Sequence, residues 1–228
     1  MSIAIVTDST ADLPADLCER YNIEVIPALV VMDGESYRDG IDISRREFYQ
    51  RLSRLRGPAT TATPSPGVFQ EVYERLLSQG AQRVLSIHIA RPLSGMVDTA
   101  SMAAREFGQR VQIWDSRSLS MGLGFQVLAA AESAQAGMSL GGIQEKLHDL
   151  IGRIRVIAML DTLEHVRRSG RVSWITARLG SLLRVKLFVE VTDGAVLNLG
   201  QARTRAKGIA HLKSLLRGLM PVERLAIL

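Results

Sequence analysis

Four junctions in this 228-residue sequence gather small hydroxyl side chains where a β-rich run gives way to a helical one. They are Thr7-Asp8-Ser9-Thr10, Thr60-Thr61-Ala62-Thr63-Pro64-Ser65, Ser94-Gly95, and Ser116 with Ser118 and Ser120. In an open parallel sheet such junctions collect at the carboxyl edge of the strands, where ligands bind. Each also opens a helix, whose first N–H groups are unpaired and whose dipole is positive at that end. Hydroxyls and amides without a neighbouring lysine suit a single negative charge better than a triphosphate. No P-loop, GxGxxG or GxSxG spacing occurs, so nucleotide and hydrolase chemistry lack their usual marks. The competing reading for each hydroxyl is capping. Ser65 before Pro66 and Ser94 before its helix are good caps, and Asp8 and Asp115 suit turns whose carboxylates bind backbone amides. A nucleophilic Ser94 would need a base, and the sequence offers only His88, inside a predicted strand, or a histidine far along the chain.

The elements that must position these residues alternate between strand and helix through the first 150 residues. Ile3–Thr7 predicts a strand, and Leu13–Tyr21 a helix with Asp12 as N-cap and Pro14 in its first turn. Glu24–Met32 predicts one strand, closed by the Asp33-Gly34 turn. Ser44 predicts a cap for a helix to Leu55, with Glu47 as the capping-box partner. Residues 57–67 read as a loop ending in a helix start, followed by a helix Val68–Gln79, a strand Arg83–Ile89, a helix to about Phe107 and a strand Val111–Trp114. Met121–Ala136 is expected to be a buried helix, and the sharper reading has one side lining an apolar cavity. Leu140–Ile154 predicts a helix and Val156–Leu160 a strand. This alternation argues for parallel strands with helical crossovers.

Beyond residue 155 the pattern changes. A basic helix Thr162–Arg168, a helix near Ile175–Leu183, a hairpin of Leu187–Thr192 and Ala195–Gln201 around Asp193-Gly194, a helix Lys207–Leu219 and a strand Arg224–Leu228 are expected. The fold class read from this is α/β in two domains, a parallel-sheet domain over 1–155 and a smaller α/β domain with antiparallel strands over 156–228.

Composition narrows the function classes. The chain is 46% hydrophobic and 22% charged, ordinary for a globular protein. A single cysteine, Cys18, excludes a disulfide scaffold, and four scattered histidines at no ligand-like spacing speak against a metal centre. No run of about 18 apolar residues occurs and no basic leader precedes Ile3, so a cytoplasmic protein without integral membrane association is expected. Residues 151–228 hold 14 Lys+Arg against 5 Asp+Glu, a net of +9, whereas residues 1–150 hold 14 against 18. The C-terminal third therefore faces something anionic. Its only aromatics are Trp174 and Phe188, too few for base stacking, which turns the expectation from nucleic acid to a phosphate-bearing partner or an acidic protein surface.

At these residues the chain resembles the DegV family of bacterial fatty-acid-binding proteins, which includes the FakB-type subunits of fatty acid kinase. The matching stretches are Val6–Thr10, Thr61–Pro66, Leu93-Ser94-Gly95, Asp115–Gly122, Leu163–Val172 with Ser169-Gly170-Arg171, Leu179–Leu183 and Ala202-Arg203-Thr204-Arg205. The resemblance implies the two-domain DegV fold (EDD-like), enclosing one long-chain fatty acid between the domains. It implies that Thr61, Ser94 and the Gly95 amide bind the carboxylate, with no cofactor and no catalytic residue. It also implies a partner, a dihydroxyacetone-kinase-like fatty acid kinase that makes an acyl phosphate for phospholipid synthesis, faced by Arg171 and Arg203. The chain departs from the family pattern at Ala62-Thr63, where Ser-Gln is usual, and at Met96, where Thr is usual. The family's C-terminal His-x-Gly-Pro segment is absent, so the second domain is expected to be incomplete. The alternative is a stand-alone enzyme acting on an acyl ester or small carboxylate through Ser94.

Overall fold

The computed structural model describes residues 2–55, 57–172 and 185–228. Trp174, the helix expected near Ile175–Leu183 and the stretch Leu179–Leu183 lie outside the described residues. The chain forms two compact units, one running to Ile154 and taking in Thr192–Gly194, the other made of Arg155–Val191 and Ala195–Leu228.

The first unit is built on a four-stranded parallel sheet of β1 (Ile3–Asp8), β2 (Ile23–Ile26), β6 (Arg83–His88) and β7 (Val111–Asp115), in the order β2-β1-β6-β7. Both faces are covered, as parallel sheets require. On one face Ile3, Ile5, Leu85 and Ile87 pack against α5 (Met121–Gln135) and α6 (Leu140–Ile151). On the other, Val6, Val84 and Val111 pack against α3 (Pro66–Ser78) and α4 (Met96–Ala104) through Phe69, Tyr73, Met96 and Ala100. α1 (Ala15–Tyr21) follows a 3-10 turn at Ser9–Ala11.

Several expectations are corrected here. Asp12 does not cap α1, which Pro14 precedes; it ends the 3-10 turn in a left-handed conformation at φ 55°. The single strand expected over Glu24–Met32 is two, broken at Pro27. Proline has no N–H to continue a ladder, and the next amide, Ala28, donates to Ser9 Oγ at 3.0 Å. The second piece, β3 (Leu29–Met32), enters a separate antiparallel sheet with β4 (Glu35–Arg38) and β5 (Thr60–Ala62), in the order β4-β3-β5. Asp33 and Gly34 make the β3–β4 turn with positive φ at both positions. The loop expected over 57–67 therefore contains a strand, and its register pairs Thr61 with Val30. Ser44 caps α2 (Arg45–Leu52) by accepting the Glu47 N–H at 3.2 Å, but the Glu47 carboxylate pairs with Arg51 instead of completing the box.

The buried helix expected over Met121–Ala136 is α5, and it takes in two polar residues that the sequence suggests as surface. Gln126 is wholly buried, accepting from Trp114 Nε1 at 3.1 Å and donating to the Ser116 carbonyl at 2.8 Å; Ser133 donates to Ala129 O. α5 crosses the 3-10 turn so closely that a Cβ on Gly124 would lie 2.7 Å from the Ala11 carbonyl oxygen.

In the second unit β8 (Val156–Leu160), β9 (Lys186–Thr192) and β10 (Ala195–Ala202) form a three-stranded sheet in the order β10-β9-β8. The β9–β10 hairpin turns at Asp193-Gly194, and β8 pairs antiparallel with β9. α7 (Glu164–Ser169) and α8 (Arg205–Gly218) complete the described elements. Gly208 lets α8 approach Met159 and Phe188, and the His211 ring meets Phe188 edge-on at 4.6 Å. Arg224–Leu228 is not a strand, and Ile227 and Leu228 are 84% and 77% exposed.

Gly124→Ala should destabilise the fold by about 1–3 kcal/mol, because overlap with the Ala11 carbonyl outweighs the ~1 kcal/mol that alanine gains over glycine in a helix. Urea denaturation followed by circular dichroism checks this, and a stabilised Gly124→Ala would refute the close crossing.

Candidate functional site

The register of the parallel sheet sets three loop origins abreast. β1 ends at Asp8, β6 at His88 and β7 at Asp115, with His88 opposite Asp115 and β1 in a register that carries Asp8 alongside His88. The loops that leave these residues carry three of the four hydroxyl groups of residues, and they are stitched together by main-chain bonds. The Ser116 N–H donates to His88 O at 3.0 Å and the Ala90 N–H to Ser118 O at 2.8 Å. The Asp115 carboxylate accepts from the amides of Arg117 at 2.9 Å and Arg91 at 3.4 Å, the turn-forming role expected of it. Asp12 ties in α2 and the start of α5 by accepting from the Arg45 guanidinium and the Ser120 hydroxyl.

Beneath the edge lies a buried polar chain that sequence reasoning missed. Tyr73 O–H donates to Ser86 Oγ at 2.9 Å, Ser86 Oγ is 2.7 Å from His88 Nε2, and His88 Nδ1 is 2.9 Å from Asp8 Oδ2. None of the four side chains has exposed surface. An ionised carboxylate only accepts, so Nδ1 carries the proton; with a neutral imidazole Nε2 accepts from Ser86 and Ser86 accepts from Tyr73, and every donor finds one acceptor. Asp8 takes three further bonds, from the Ile89 N–H at 3.2 Å, the Thr10 N–H at 3.1 Å and the Thr10 hydroxyl. Burial alone would raise its pKa, but the bonds from His88, Thr10 and Ile89 outweigh it and hold the carboxyl below its ordinary value of 3.8. Burial pushes the Tyr73 hydroxyl well above its ordinary range, against the bond to Ser86, so it stays a donor.

This chain settles what His88 can do for Ser94. Both ring nitrogens are occupied and the ring is wholly buried, against the edge of Phe69 at 5.5 Å, so His88 is not available as a base for that hydroxyl. Ser94 Oγ instead accepts from the Met96 N–H at 3.4 Å, and Gly95, not Ser94, is the N-cap of α4. Ser65 is the N-cap of α3 with Pro66 at the first helical position, though its hydroxyl makes no cap bond.

Of the expected site residues, Thr61 is exposed on edge strand β5, held in place by pairing with Val30. Ser94 is half-buried and Gly95 exposed at the N-terminus of α4. The Thr60–Ser65 segment reaches that helix start: a Cβ on Gly95 would lie 3.3 Å from Thr63 Oγ1, so Thr63 is the hydroxyl the fold sets against Gly95. Nothing in the spacing singled out Thr63 from its neighbours. In the second unit Arg171 follows the left-handed Gly170 at the end of α7, with its N–H toward Ser169 Oγ at 3.4 Å, and Arg203 is exposed in the turn before α8, which Thr204 caps. Asp161 draws Lys186 and Arg205 together, whose hydrogen bonds and charges lower its carboxyl. A surface cavity of about 350 Å³ lined by Tyr37, Arg51 and Arg54 belongs to the β3–β4 hairpin and α2, and includes none of the loop hydroxyls. Among the described residues no cluster of His, Cys, Asp and Glu could hold a metal ion, and no helix is long and apolar enough to cross a membrane.

The model of a family described as "Uncharacterised protein, DegV family" matches residues 2–222. A DegV domain-containing protein of Streptomyces coelicolor is 38% identical over 213 residues, which are 93% of this chain and 75% of the relative. Among solved structures, a DegV family protein from Thermus thermophilus, described as fatty acid binding, has a TM-score of 0.88 at 37% identity, covering 96% of this chain and 78% of that one. DegV of Bacillus subtilis, described as a fatty acid binding protein, has a TM-score of 0.85 at 32% identity, covering 96% and 78%.

The lowered Asp8 carboxyl has a consequence for stability. Asp8 binds its proton more weakly folded than unfolded, so its contribution is complete above the unfolded value near 3.9 and is lost as pH falls through the lower native one. Asp8→Asn should cost about 2–4 kcal/mol at pH 7 and flatten the loss of stability as the pH falls below about pH 4. Denaturant titrations across that range test it; equal stability of variant and wild type at pH 7 would contradict the network.

Proposed function

The chain belongs to the DegV family, and on that premise we propose that it binds one long-chain fatty acid and presents the carboxylate to a fatty acid kinase of the dihydroxyacetone-kinase type. Thr61, Ser94 and the Gly95 amide hold the carboxylate, and Arg171 and Arg203 face the kinase or the phosphoryl group being transferred. The protein acts as a carrier without chemistry of its own. The observation that carries this reading is the approach of the Thr60–Ser65 segment to the start of α4, with Thr63 against Gly95 and Ser94 one residue before it. A helix start flanked by hydroxyls and free of lysine suits one carboxylate. The fatty acid binding described for solved relatives at 37% and 32% identity supports the same ligand class.

Energetics divide the work between the two ends of the ligand. Burying about 14 methylenes at ~0.8 kcal/mol each is worth about 11 kcal/mol before ordering costs. Each charge-assisted hydrogen bond to the carboxylate adds about 1.5–3 kcal/mol, less desolvation. The tail dominates affinity and the hydroxyls set orientation. The net +9 of residues 151–228 gives an acidic kinase surface something to dock against.

Solvent extraction and mass spectrometry of the purified protein should find a C14–C18 fatty acid at about one per chain, as a tail of ~14 buried methylenes requires. A purified protein that neither retains nor takes up any fatty acid would refute the reading. Thr61→Ala and Ser94→Ala should each weaken binding by about tenfold or less, yet abolish acyl-phosphate formation by the kinase. Normal phosphorylation with both variants would remove these hydroxyls from the carboxylate site.

A further inference from the structure

The segment that carries Ser94 and Gly95 leaves the sheet at His88, and its first residues are held from both sides. From β7 and the loop that follows it come the bonds of Arg91 to Asp115 and of Ala90 to Ser118. From β1 comes Asp8, whose Oδ2 takes both the Ile89 N–H and the His88 ring. Asp8 is the wholly buried carboxylate of the two, and its other oxygen holds the Thr10 turn at the end of β1.

We propose that Asp8 is a positioning residue for the headgroup site, acting through Ile89 and His88 on the segment that carries Ser94 and Gly95. The proposal rests on the fatty-acid reading above and deepens it. Asp8 and His88 are too deeply buried to touch a ligand at the edge, so their effect is through geometry. The chain from Tyr73 through Ser86 holds the imidazole at Nε2, and the imidazole in turn holds the Asp8 carboxylate through Nδ1. Loss of any link leaves a buried donor or acceptor unpaired, and the backbone at Ile89 moves to relieve it. Ser94 lies five residues beyond Ile89, and the turn bond from Leu93 N–H to Ala90 O at 2.9 Å lies between them. A shift at Ile89 therefore moves the hydroxyl that must meet the carboxylate.

The readout that separates positioning from simple stabilisation is headgroup discrimination. Palmitic acid and hexadecanol share a tail and differ at the site in question, so the ratio of their affinities isolates the carboxylate contacts. In displacement titrations at a temperature where each variant is folded, wild type should prefer the acid. Asp8→Asn should lower the acid-to-alcohol ratio by about tenfold, and Ser86→Ala, one bond further away, by about threefold, with hexadecanol affinity unchanged in both. A folded Asp8→Asn and Ser86→Ala that keep the wild-type ratio, whatever their melting temperatures, overturn the proposal. Equal weakening toward both ligands also overturns it, since that is what loss of structure alone produces. If Asp8→Asn does not fold, Ser86→Ala decides. A wild type without preference for the acid refutes the carboxylate site itself and takes the positioning role with it, an outcome distinct from failure in the variants.

Discussion

A carboxylate placed inside a parallel sheet constrains everything around it. Taking an ionised group such as Asp8 out of water costs several kcal/mol unless hydrogen bonds replace its hydration. Here four donors do so: the His88 ring, the Ile89 and Thr10 amides and the Thr10 hydroxyl, while Ser86 holds the imidazole in orientation. These donors come from β6 and from the segments that leave β6 and β1, so satisfying one charge fixes how β1, β6 and their outgoing segments meet. The ends of adjacent strands at Asp8, His88 and Asp115 are therefore held as one surface rather than as three independent turns.

That rigidity matters because the groups presented at the edge are small. A threonine or serine hydroxyl has no reach, unlike lysine or arginine, and contributes only where the backbone delivers it. The start of α4 and the Thr60–Ser65 segment arrive from different sheets, the first from β6 and the second from β5 through its pairing with β3. Two backbone scaffolds thus converge on one short stretch of polar surface. The second unit contributes differently: its sheet carries one helix packed close through Gly208, while Arg171 and Arg203 stand exposed. Long cationic side chains on an exposed surface suit electrostatic recognition more than precise ligand geometry.

Much of the fold was legible. Alternating β-branched runs and capped helices gave the parallel sheet, α3 through α6 and the Asp193-Gly194 hairpin, because those elements satisfy local propensity and global packing together. The errors fall where a partner strand decides. Glu24–Met32 reads as one apolar run, and Pro27 divides it between two sheets. Residues 57–67 read as loop because Gly and Pro flank them, yet Thr60–Ala62 becomes a strand once β3 offers its edge. Arg224–Leu228 has strand composition and no ladder. Gln126 looks like surface in a helix of alanines, and a tryptophan N–H and a loop carbonyl draw it inside.

The sequence by itself determined the class of chemistry: hydroxyls at strand ends, no phosphate loop, one cysteine and a basic C-terminal third. These follow from residue type and local spacing, which are properties of the chain alone. Tertiary structure decided which of those residues act together. Asp8 and His88 are eighty residues apart and meet only through the β1–β6 register. That contact removes the histidine from service to Ser94. Thr63 reaches Gly95 only because a main-chain ladder sets the position of β5. Register and sheet order arise from burial summed over the whole domain, and no local stretch of sequence contains that sum.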